Sequence, residues 1–233
     1  IKDSAKIKEP KEKDKYIYYY SLAELYYCKS KKESQQYNFS DGTIFNVNAI
    51  LEEKNREYLK KIIKDKEFSF ENYLKCWDII NNSNTNNKHD RITEGIRIIS
   101  QELSTIYYII DDEEKFLLYG KYAVEFNSLN SIYIFLKYYC EKQDYDNAYI
   151  YYNLMNNYRS GRLNNPYQDT MIKKISYPIY YKFLYDSGMY EDSLNVAKDF
   201  KKYVIDNELI ENKREIIKPV NEHIEKCQIL IDK

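Results

Sequence analysis

Asp144 and Asp146, separated by Tyr145, are the residues in this chain whose type and spacing most resemble a reactive constellation. Two carboxylates so placed can converge on one divalent cation and hold a phosphorylated substrate through it. No strand-like alternation that would place such a pair at the edge of an α/β domain precedes these residues. Apolar residues recur with helical spacing on both sides of Gln143-Asp144 instead. The pair therefore reads as the polar turn of a helical hairpin, with Asp146 near the N-terminus of the second helix.

The remaining chemistry is sparse. His89 and His223 are the two histidines, and neither has a second ligand at metal-binding spacing. A Ser–His–Asp or Cys–His arrangement assembles only in the fold, and nothing in the order of residues points to one. No glycine-rich phosphate loop occurs. Tyr158-Arg159-Ser160-Gly161-Arg162 is basic and flexible enough to meet a phosphate, but reads more simply as a solvated loop. No catalytic residue, metal or cofactor is expected.

Composition excludes further classes. The 36 basic and 37 acidic residues leave a net charge of −1, so no overall field draws the chain to nucleic acid or a membrane. Only 5 glycines and 4 prolines occur, too few for the many tight turns of an all-β fold. The 28 tyrosines fill space as Phe does, but each hydroxyl needs water or a partner, which suits a thin layered structure. Cys28, Cys76, Cys140 and Cys227 lie far apart and suggest no disulfide framework, favouring a reducing, cytoplasmic setting. No apolar run approaches the roughly 20 residues that span a bilayer, and no signal-peptide core opens the chain. The start at Ile1 fits a fragment or a processed product.

Periodicity predicts an all-α chain in three parts. Residues 1–13 are a charged tail or linker. Residues 14–87 form an irregular helical region, with helices over 15–32, 48–64 and 68–80 and a polar break at 33–46 that contains Asp41-Gly42. The Asn-rich stretch 81–87 separates it from residues 88–233. There Asp90 is placed to cap a helix to Ile110, and Asp111-Asp112-Glu113-Glu114 opens one to Phe126. Helices over 131–141 and 146–158 follow, then a long loop at 159–168. The last elements span 170–186, 191–207 and a terminal cap from Pro219 to Ile231.

These hairpins recur. Taking the end of each second helix, Ala123 matches Met155, 32 residues on, and Phe200, a further 45. Leu103, Phe135 and Tyr180 share one large position of the first helix, and Tyr107, Tyr139 and Leu184 the next. Tyr145 and Tyr190 follow the turn, and Ala148 and Ser193 supply a small residue where two helices cross. The pattern resembles the tetratricopeptide family, whose helix–turn–helix unit repeats at about 34 residues. It departs from that family in several places. The small first-helix position holds Ser104, Leu136 and Tyr181, and in the first unit Glu113 replaces the aromatic and Phe116 the small crossing residue.

The resemblance implies a helical-hairpin solenoid whose concave surface is lined by first-helix residues. On this chain these are Gln101, Thr105 and Tyr108, then Asn130, Tyr133 and Lys137, then Lys182, Tyr185 and Asp186. Amides, phenols and lysines suit a peptide segment or its carboxylate. The expected function is a non-enzymatic scaffold or interaction module for a protein or peptide partner. The alternative is a helical-repeat region of a larger enzyme, since Gly188-Met189-Tyr190-Glu191-Asp192-Ser193 and the Tyr-rich hairpins resemble repeat tails attached to some glycosyltransferases.

Overall fold

The structure is a computed structural model and describes residues 11, 14–37, 39, 45–82, 89–158 and 166–233. The described residues are all-helical, with no β-strand among them. In chain order the helices are Lys15–Gln36 (α1), Val47–Leu51 (α2), Arg56–Asn82 (α3), His89–Ile109 (α4), Glu113–Glu125 (α5), Leu129–Glu141 (α6), Tyr145–Asn156 (α7), Pro166–Asp186 (α8), Tyr190–Asp206 (α9) and Lys213–Ile231 (α10). They form two compact units, Ile1–Ser131 and Ile132–Lys233, divided inside α6. The helices flanking the Asn-rich stretch, α3 and α4, pack on each other in the first unit. The tail 1–13 apart from Lys11, the Asp41-Gly42 turn and the basic segment 159–162 lie outside the described residues.

The first unit corrects the expected helices. Asp65-Lys66-Glu67 falls between the helices expected over 48–64 and 68–80, yet the 27-residue α3 runs straight through it. The reason is that three other helices supply partners. Buried Asp65 reaches Lys29 of α1 at 2.7 Å, and Lys66, 2 % exposed, reaches Glu102 of α4 at 2.5 Å. Glu67 accepts bonds from Tyr107 of α4 and from Lys115 and Tyr119 of α5 at 2.7, 3.0 and 3.1 Å. A buried charge is costly when alone and tolerable when paired and hydrogen-bonded, so the helix continues. The helix expected from Asn48 is cut short instead. Asn46 caps α2, Glu52 turns extended, and Asn55 donates its amide to the Ala49 carbonyl before α3 begins.

Helix starts also differ from expectation, and α8 begins at Pro166, within the loop expected at 159–168. Asp90 lies inside the first turn of α4, which begins at His89. Pro219 lies within α10, which begins at Lys213; Ile216 and Ile217 pack against the α8–α9 core, and this burial holds the turn before the proline.

Four helix–helix connections, α4–α5, α5–α6, α6–α7 and α8–α9, share one geometry. At Asp111, Asn127, Gln143 and Gly188 the backbone turns left-handed, with φ of 60°, 65°, 56° and 79°. Each of these residues donates its N–H three residues back, and the next residue donates five back: Asp112 to Tyr107, Ser128 to Ala123, Asp144 to Tyr139 and Met189 to Leu184. This is the paired-bond closure of a helix C-terminus. At two of these turns the following residue also caps the next helix with its side chain: Asp112 accepts from Lys115 N–H and Asp144 from Asn147 N–H, both at 3.1 Å.

The irregular crossing residues resolve into a reciprocal pattern. In two hairpins the helices meet at residues 12 apart in sequence, Ser104 with Phe116 and Tyr181 with Ser193, and Leu136 and Ala148, at the same spacing, are likewise buried. A close crossing needs one small partner, and either helix can provide it. Where it is serine, its hydroxyl donates across the crossing, from Ser104 to the Phe116 carbonyl at 3.1 Å and from Ser193 to the Tyr181 carbonyl at 2.7 Å. One turn further on, Tyr107 stacks on Tyr119 at 5.6 Å and Tyr139 on Tyr151 at 5.3 Å, again 12 apart. Such ring pairs contribute about 0.5–1.5 kcal/mol each beyond the area they bury.

Candidate functional site: a charged cleft between two first helices

In the second unit the C-terminal halves of α6 and α8 wall a cleft of about 440 Å³. Its floor is Cys140, Ile179 and Phe183, and its rim is Lys137, Glu141, Lys182 and Asp186, with Gln143 and Ser187 at the turns. The volume lies in the range of about 300–1,000 Å³ usual for ligand pockets. The turns after both helices are the shared closures at Gln143 and Gly188, which fix where each helix ends and so where its last charged side chains stand.

Three of the nine groove residues expected from the sequence, Lys137, Lys182 and Asp186, come together on this cleft. Tyr133 sits one turn before Lys137, whose ammonium lies 5.9 Å from the tyrosine ring. Tyr185 packs instead against Tyr190 at 5.4 Å and His223 at 5.1 Å. The other four belong to the first unit. There the Gln101 side chain accepts from the Ser128 hydroxyl at 2.7 Å, which ties it to the α5–α6 turn, and Thr105 donates to the Gln101 carbonyl at 2.9 Å. Tyr108 is exposed, with its ring 5.2 Å from Phe116, and Asn130 is exposed in the first turn of α6.

Cys140 on the floor is no ready nucleophile. Burial, with Glu141 beside it, pushes its thiol up to about 12, and the thiolate is the reactive form. Asp144-Tyr145-Asp146, at the next turn, is occupied structurally. One Asp144 oxygen accepts the Asn147 N–H at 3.1 Å and the other the Asn147 side-chain amide at 2.8 Å. These bonds hold the Asp144 carboxyl below its ordinary range. Among the described residues, no group of three or more His, Cys, Asp or Glu is placed to hold a metal ion.

The structure does bring together one pair that sequence reasoning missed. Ser193 of α9 and His223 of α10, 30 residues apart, meet with Oγ and Nε2 2.7 Å from one another. No local spacing signals such a pair. It has the atoms of a nucleophile and its base, but the hydrogen bonds run the other way. Ser193 has one proton and gives it to the Tyr181 carbonyl at 2.7 Å, so Nε2–H must donate to Oγ. The Cys227 thiol, 3.6 Å away, takes the remaining lone pair. With every valence of the hydroxyl used and Ser193 fully buried, the arrangement docks α10 on α9. Desolvation, then the nearby Lys226, lowers the His223 pKa, and Asp186 opposes them.

Comparison with known proteins finds no counterpart: no family model, curated protein or solved structure matches this chain. No helix among the described residues is long and apolar enough to cross a membrane.

Proposed function

We propose that the chain is a non-enzymatic interaction module of tetratricopeptide-like hairpins stacked as a solenoid, and that the α6–α8 cleft receives a peptide segment of a protein partner. The observation that carries the reading is the meeting of Lys137 with Lys182 and Asp186 around an apolar floor. These side chains come from the same face of successive first helices, the face a solenoid of this kind turns inward. The shared turn closures and reciprocal crossings support the stacking, because units with one geometry bury their faces against one another. The arrangement offers binding rather than bond-making chemistry: exposed ammonium and carboxylate groups over an apolar base, beside a thiol held protonated.

The test is selection of peptides from a random library on the full chain, followed by affinity measurement against Tyr133→Ala and Lys137→Ala. Both residues lie outside the buried core, so the variants keep the fold. Affinity for the selected peptides falls in both variants if the reading holds. Unchanged affinity across all selected peptides would remove the cleft from consideration.

A further inference from the structure

Three lysines of α9 share one face. Lys198, Lys201 and Lys202 recur at helical spacing, turned away from the side on which Ala197, Phe200 and Val204 enter the core. With Ile205, one turn on, and Ile224 of α10 they line a pocket of about 270 Å³. Among the described residues its lining carries three ammonium groups and a single carboxylate, that of Asp206. Ile205 is 50 % exposed, and half-buried Ile224 packs against the α8–α9 core. The pocket therefore joins an aliphatic seat to a positive rim.

Elsewhere in the chain lysines are held by carboxylates: Lys29 by Asp65, Lys61 by Glu33 and Lys115 by Glu67. Lys198, Lys201 and Lys202 enter no ion pair or hydrogen bond among the described residues, although Asp199 and Asp206 stand three and four residues from Lys202. Lys198 also faces Lys201 and Lys202 at spacings where like charges destabilise a helix. The helix dipole does not offset this. Its pull is confined to the last turn, which excludes Lys198, and there the Ile205 carbonyl already accepts from Lys213 at 2.7 Å. An arriving carboxylate would relieve the repulsion. The volume falls below the range of about 300–1,000 Å³ usual for ligand pockets, so it suits one side chain of a larger partner. A membrane surface fits less well, since it rewards a broad apolar face, and the lining offers one exposed isoleucine beside an aspartate.

We propose that this pocket is a second binding surface, which takes an acidic segment of a protein partner. One large aliphatic side chain seats against Ile205 and Ile224, and carboxylates on either side of it meet Lys198, Lys201 and Lys202. The surface shares no residue with the α6–α8 cleft and does not rest on the reading of that cleft.

Three labelled peptides test it by fluorescence polarisation with the full chain. One has a central leucine with two aspartates on each side, one has asparagine for every aspartate, and one has glycine for the leucine. The first binds at least about fivefold tighter than the other two, the scale of a few exposed ion pairs or of one aliphatic side chain partly removed from water. In NMR spectra it shifts the methyl groups of Ile205 and Ile224. The triple variant Lys198→Gln, Lys201→Gln, Lys202→Gln changes no buried side chain and loses the preference for aspartate over asparagine. Equal affinity for the three peptides, no binding, or binding that leaves Ile205 and Ile224 unshifted overturns the proposal. So does lysine-dependent sedimentation with phosphatidylserine vesicles when no peptide binds, which assigns the face to a membrane. Shifts at Cys140 and Phe183 report the α6–α8 cleft separately, so either site can fail without the other.

Discussion

Gly95 of α4 faces the ring of Tyr73, and replacing it with alanine is the sharpest test of how the first unit is packed. A Cβ built at position 95 meets three ring carbons of Tyr73 at 2.5, 2.6 and 2.9 Å, where carbon atoms settle at about 3.5–4.0 Å. The ring would have to move by roughly 1 Å to restore that spacing. Tyr73 is 2 % exposed, its hydroxyl is held by the Glu24 carboxylate of α1, and its ring packs edge-on to Tyr20 at 6.2 Å. Movement is therefore resisted from the α1 side. Overpacking of this kind costs about 1–3 kcal/mol. If the ring is expelled far enough to break its bond to Glu24, a further ~1.5–3 kcal/mol is lost. Against this stands the gain of about 1 kcal/mol from putting alanine in place of glycine in a helix interior. The expected net change is a destabilisation of about 0–2 kcal/mol if the bond to Glu24 survives and about 1.5–5 kcal/mol if it breaks. Trp77, the single tryptophan, lies one turn from Tyr73 on α3 and packs edge-on to Phe126 at 5.3 Å, so its fluorescence in a urea titration reports the first unit. In a Tyr73→Leu background the obstructing ring is gone, and Gly95→Ala should become neutral or stabilising. A Gly95→Ala single variant more stable than the parent would falsify the packing argument.

Three other outcomes are expected. Removing one partner of the Lys66–Glu102 pair, as in Glu102→Ala, should cost about 3–5 kcal/mol in the same titration, while Lys66→Met with Glu102→Leu should recover most of it. His223 has a folded pKa below its ordinary 6.5, so the unfolded chain binds the proton more readily. Stability of the second unit is thus fully present above about pH 6.5, falls as pH drops through the interval down to the folded pKa, and is constant below it as far as this group is concerned; thermal melting across that range should show the loss, and a His223→Gln variant should flatten it. Towards a thiol reagent at neutral pH, exposed Cys28 should react first. Cys140, pushed up to about 12, and the buried Cys76 and Cys227 should react slowly in the native protein and rapidly once it is unfolded; fast native reaction at Cys140 would contradict its environment.

Glu67 shows why a charged run is hard to read. Burial alone would raise its pKa, but the bonds from Tyr107, Lys115 and Tyr119 outweigh that and lower it. In sequence, Glu67 is one more polar residue after Lys64-Asp65-Lys66. The partners that make it a buried hub lie 40, 48 and 52 residues away, and no local pattern connects them. The same holds for Ser193 and His223, which only the packing of α10 on α9 brings into contact. Of the expected groove, Lys137, Lys182 and Asp186 could be placed together because one helical face and one repeat offset relate them. Tyr185 could not, since its ring turns towards a histidine on a helix outside the repeat.

The sequence by itself determined that the chain is helical, where its hairpins turn, and that Asp144 serves a turn. Those properties rest on interactions within a few residues: apolar spacing, a left-handed residue closing one helix, a carboxylate capping the next. Only the tertiary structure decided that α3 continues through the three charged residues 65–67, that either helix of a hairpin can carry the small crossing residue, and that a serine and a histidine with the look of catalysis form a saturated internal bond. In each of these the deciding energy is the burial or pairing of a polar group by a partner distant in the chain, and that partner's position exists only once the helices have packed.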